Sequence, residues 1–107
     1  MTTLEMATLE EEFDTACMDS VEECRKLHYN PGYFLMMRAK DGIMATATPL
    51  LANPGFSDGF SRLWSVGRVD LTLEAIVWNN PKFWALFSAE IIKTVVIKLV
   101  KVGYIHA

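Results

Sequence analysis

The stretch Ser57 to Trp78, SDGFSRLWSVGRVDLTLEAIVW, most constrains the fold. It reads as two short helices joined by a tight turn. Ser57 and Asp58 can accept hydrogen bonds from the free N–H groups that open a helix. Phe60, Leu63, Trp64 and Val66 supply the apolar side of the first helix. Gly67 can take the left-handed conformation that ends it. Asp70 is placed to cap the second, whose apolar positions are Leu71, Leu73, Ile76, Val77 and Trp78. So many large apolar side chains in 22 residues require a core. The expected fold is all-α: a compact bundle of five or six short helices around the central pair 57–66 and 70–78.

The chain of 107 residues is long enough for one domain, 1–107, that buries a core without a metal or disulfides. Its composition, 51% hydrophobic and 21% charged, argues against disorder and leaves apolar surface for a partner or a second copy. Charge is uneven. Eight of the 13 acids precede the first base, Arg25, whereas the remainder carries 10 bases against 5 acids. An acidic N-terminal helix on a mildly basic body is the plain reading. The sharper one is a nucleic-acid-binding body screened by its own acidic arm. The start, MTTLEMATLEEE, has neither the basic nor the apolar region of a signal peptide, and no run is suited to a membrane span. The expected location is cytoplasmic, with no membrane partner. Cys17 and Cys24, seven apart on a helix, sit about 10 Å apart along its axis, too far for a disulfide. They are expected to be small buried hydrophobes, and neither a metal nor a cofactor is expected.

The acidic helix should span about 3–28, with Leu9, Phe13, Ala16, Cys17, Val21, Cys24 and Leu27 at three-and-four spacing. Asn30-Pro31 restarts the chain into a second helix to about Lys40. Its apolar run, Tyr33 to Met37, predicts burial on more than one side. Ile43–Ala52 reads as a third helix kinked or split near Pro49, because an interior proline removes a hydrogen bond. Pro81 to Phe87 is a short aromatic step. Ser88 caps a last helix, Ala89 to Val102, whose TVVIKLVKV run also has the β-branching of a strand. Cap, length and Gly103 favour the helix, and Tyr104 could fold back on it. That helix places Ile97 in an arc with Lys93 and Lys101, bordered by Val100, so Ile97 and Val100 are the candidate interface of a homodimer.

From Tyr29 to Tyr104 the chain resembles a group of small, uncharacterised bacterial helical proteins. The residues that carry the resemblance are Tyr29, Pro31 and Phe34; Leu50 to Ala52; Ser57 to Phe60; Gly67, Arg68 and Asp70 to Ala75; Trp84, Leu86 and Phe87; and Gly103 with Tyr104. The chain departs from that pattern at Pro49 and Trp78. The resemblance implies an all-helical fold and a bacterial source, and it is similar to products of mobile cassettes. It implies no activity.

The polar constellation that stands out is Arg62, Arg68, Asp70 and Glu74. Asp70 and Glu74 are four apart, on one face of a helix, with Arg68 at the turn before them. Paired carboxylates can perform acid–base work. With no nucleophile, metal ligand or phosphate loop beside them, a structural polar cluster held by arginine hydrogen bonds is the favoured reading. A DNA-recognition helix needs bases, and none lies between Val69 and Pro81. The expectation is therefore a non-enzymatic helical module that binds itself or another protein. A nucleic-acid-associated accessory protein using the basic 25–107 body is the alternative.

Overall fold

The computed structural model describes residues 1–106, and among these the regular structure is entirely helical, without strands. Helix α1 runs Thr3–Lys26, α2 Gly32–Asp41, α3 Ile43–Ala52, α4 Asp58–Ser65, α5 Leu73–Asn79 and α6 Ala89–Lys101. Two 3₁₀ segments, Val69–Leu71 and Pro81–Leu86, join α4 to α5 and α5 to α6. No helix among the described residues is long and apolar enough to cross a membrane.

The caps explain where the helices begin and end. Thr2 and Glu5 form a reciprocal capping box on α1, satisfying two N–H groups that the helix itself leaves free. Ser57 accepts from the Phe60 N–H at the start of α4, and Ser88 from the Ile91 N–H at the start of α6. Gly67 has φ +75°, and the Arg68 N–H reaches back to the Leu63 carbonyl at 2.8 Å, closing α4. Gly103, also at φ +75°, does the same for α6 through the Tyr104 N–H and Leu99. The chain then folds back, and Asn79 donates to the Tyr104 hydroxyl.

The core is centred differently from the expected pair. Helix α5 is the hub, packing against α6, the Pro81–Leu86 segment, α1 and α3. Phe13, Leu51, Val77, Phe83, Val95 and Leu99 are fully enclosed there. The rings of Phe13 and Phe83 meet edge to face at 5.3 Å between centroids. Helix α4 lies at the margin against the 69–71 turn. It buries Phe60 and Leu63 but leaves Trp64 and Val66 more than half exposed. The expected second helix of the pair, 70–78, is a 3₁₀ turn followed by a seven-residue helix. Its cap is Thr72, whose hydroxyl accepts from the Ala75 N–H, and not Asp70.

Two further local expectations change. Helix α3 is not split at Pro49, which lies inside the element Ile43–Ala52. Pro49 lies on its exposed side, and Ala45, whose carbonyl loses its helical partner, is exposed as well, so water can satisfy it. Helix α2 contributes no fully buried residue, and Tyr33 and Met36 face solvent. It is held onto α1 by a two-pronged pair in which the Arg38 guanidinium donates to both Asp14 oxygens at 2.6 Å.

Candidate functional site

A largely apolar cavity of about 450 Å³ is bounded by α1, the α1–α2 loop, α4 and the start of α5. Helix α1 brings Cys17, Ser20, Val21 and Cys24 to it, positions spaced to share one helical face. Phe60 and Leu63 of α4 form the opposite wall, and Leu50 enters from the end of α3. Leu71, Thr72, Leu73 and Ile76 close the far side. Tyr29 and the Asn30–Tyr33 segment stand with Ser57–Gly59 along the rim. A β-carbon added to Gly59 would lie 2.9 Å from the Tyr29 hydroxyl, so glycine is what allows the tyrosine to sit this close to α4.

The lining is largely apolar, and its polar groups are mostly already engaged. Ser20 donates to the Leu71 carbonyl, tying α1 to the turn. Thr72 donates to Val69 while capping α5. Burial pushes the Cys17 thiol far up from its ordinary value and the Cys24 thiol in the same direction, so neither is a ready thiolate. Burial also raises the Tyr29 phenol. No cluster of three His, Cys, Asp or Glu side chains able to hold a metal exists among the described residues.

Glu74 supplies the one carboxylate deep in this lining. Its Oε2 lies 2.7 Å from Lys98 Nζ, and the two side chains are 5% and 1% exposed. Lys98 also donates to the carbonyls of Leu50, at 3.1 Å, and Asn53, at 2.8 Å. An ammonium has three donors, and here each has an acceptor. Two of those acceptors belong to the C-terminal end of α3, where a cation is favoured by the unsatisfied carbonyls. One lysine thus joins α3, α5 and α6.

The four residues of the sequence-derived polar cluster are therefore divided. Arg68 and Asp70 do meet at the turn, with two hydrogen bonds of 3.0 Å, and the guanidinium holds the Asp70 carboxyl below its ordinary value. Glu74 faces inward to Lys98 instead. Arg62 lies over the ring of Tyr29, 5.2 Å from its centroid, on the outer side of the cavity rim. Of the two interface candidates, Ile97 is 45% exposed and Val100 is half-buried. Lys98 was not among the sequence candidates, although position 98 falls three residues after Val95 and four before Val102, within the apolar stripe of α6. That placement was the available signal. No protein-family model, curated protein or solved structure matches the chain.

Proposed function

We infer that this is a non-enzymatic helical binding module and that its binding site is the cavity beneath Tyr29. The observation that carries this reading is the combination of volume and lining. About 450 Å³ falls within the range of small-molecule pockets, which are mostly apolar with few convergent polar groups. The neighbouring side chains lack a nucleophile paired with a base, which favours binding over catalysis. The test is a two-dimensional NMR titration of the ¹⁵N-labelled protein with a library of small neutral molecules. Saturable shifts clustered on Val21, Leu63 and Ile76 are expected. A library that shifts none of these residues rejects the reading.

Association with another protein or a second copy is the second reading. It is favoured by the exposed Tyr33 and Met36 of α2, Trp64 of α4 and Ile97 of α6. Light scattering at micromolar concentration should give the dimer mass, and Ile97→Glu should return the monomer. A monomeric parent rejects self-association. Nucleic acid is less favoured, because six of the ten bases (Arg25, Lys26, Arg38, Arg68, Lys82 and Lys98) already pair with carboxylates.

A further inference from the structure

Resting on the cavity as the binding site, we propose that its ligand is a neutral, largely apolar molecule carrying one hydrogen-bond donor, a hydroxyl or ring N–H, seated on the Glu74 carboxylate. The apolar walls set the body of the ligand. Burying an amide or hydroxyl there without a partner is costly, so additional polar groups on the ligand are selected against. Glu74 sets the one polar end. A carboxylate is an acceptor with room for about four hydrogen bonds; Lys98 engages Oε2, and Glu74 is among the residues that line the cavity.

The same ion pair sets the ligand's charge. Lys98 already neutralises Glu74, and both are enclosed. A cationic ligand would leave a surplus positive charge in a desolvated space. An anionic ligand would meet a carboxylate with no free cation beside it. Both add an uncompensated charge beside an enclosed ion pair, which is unfavourable. A neutral donor adds a charge-assisted hydrogen bond and no net charge. The thiols of Cys17 and Cys24, kept protonated by burial, add no charge to this balance.

The test uses four probes of one shape, the naphthalene ring system, with the intact protein at neutral pH. 2-Naphthol presents a neutral donor, 2-methoxynaphthalene lacks the donor, 2-naphthoate is an anion and 2-naphthylmethylammonium a cation. Titration followed by NMR should give saturable binding of 2-naphthol, with contacts to the methyl groups of Val21 and Ile76. 2-Methoxynaphthalene should bind at least about tenfold more weakly, the difference expected for losing a hydrogen bond to a charged acceptor. The two ions should bind more weakly still. Val21→Phe, which narrows the cavity from the α1 wall, should weaken binding of 2-naphthol at least about tenfold. Equal binding of naphthol and its methyl ether overturns the donor assignment while leaving the cavity a binding site. Preferred binding of either ion overturns the charge argument. Contacts outside the cavity, or binding unchanged by a folded Val21→Phe, overturn the placement. Failure of all four probes to bind rejects the binding-site reading itself.

Discussion

Lys98→Met keeps most of the side-chain length and removes the ammonium. In the parent that ammonium is 1% exposed and holds Glu74 together with two carbonyls at the end of α3. Breaking a buried ion pair from one side costs about 3–5 kcal/mol, because the remaining charge stays buried without a partner. The Leu50 carbonyl loses its donor too, adding to the cost, whereas Asn53 lies in an exposed stretch where water can replace the lysine. A domain of this size has a total stability of about 5–15 kcal/mol, so the loss removes a large share of it. Urea unfolding followed by far-ultraviolet circular dichroism measures this directly. With a slope of about 1–3 kcal/mol per molar, the midpoint should fall by roughly 2 M with the slope unchanged. Glu74→Gln leaves the opposite charge stranded and should also be strongly destabilising. The double variant removes both charges and should cost less than the sum, by about 2 kcal/mol or more. Additivity within about 0.5 kcal/mol would refute the argument that the two charges act as a unit. A Lys98→Met variant within about 1 kcal/mol of the parent would refute the buried geometry itself, since truncations of this kind are among the largest single-site effects.

Leu63→Ala should cost about 2–5 kcal/mol as a buried leucine truncation, whereas Trp64→Ala, at a residue 55% exposed, should leave the melting temperature nearly unchanged. Equal losses would place Trp64 in the core. The Asp14 carboxyl is held below its ordinary 3.8 by the Arg38 hydrogen bonds, so its stabilisation is fully present above that value and fades as pH falls through the lowered folded value. Asp14→Asn should therefore be destabilised at pH 7 and converge with the parent in acid; a constant difference at every pH would refute the pair. Cys17 and Cys24 line the cavity as thiols that burial keeps protonated, so a thiol reagent should label them more slowly than a free cysteine at the same pH, with labelling accelerated by urea; labelling of the native protein at the free-cysteine rate would contradict their burial.

Much of the fold is legible in the sequence because the relevant signals are local. The three-and-four spacing of Leu9, Phe13, Ala16, Cys17, Val21, Cys24 and Leu27 predicts the buried face of α1; five of the seven are buried, whereas Ala16 is half-buried and Leu27, just past the helix end, is exposed. Ser57, Gly67, Ser88 and Gly103 fix helix ends through contacts within a few residues. Legibility fails where a choice is made by distant packing. An apolar stripe on α4 admits Trp64 as readily as Leu63, and only the marginal position of the helix turns the indole outward. Asp70 and Thr72 are both acceptable caps, and Arg68 draws the aspartate away. Spacing alone groups Glu74 with Asp70, yet its partner lies 24 residues further along the chain. The cavity is less legible still, because its walls come from α1, α3, α4 and α5 and no one segment encodes it.

The three-way grip of Lys98 also bears on the order in which a growing chain can become a folded one. Glu74 and the end of α3 are synthesised well before residue 98 exists. Until α6 arrives, a shortened chain that packs α5 against α1 must either drag a carboxyl group without its partner into an apolar interior, charged or protonated at a cost, or keep it in water. The second is cheaper, so the emerging chain is held back from closing around α5. Val95 and Leu99, the fully enclosed side chains flanking Lys98, arrive with it. The final helix is thus a keystone: chains ending before Lys98 should stay loosely organised, and completion of α6 should bring the hub together in one step.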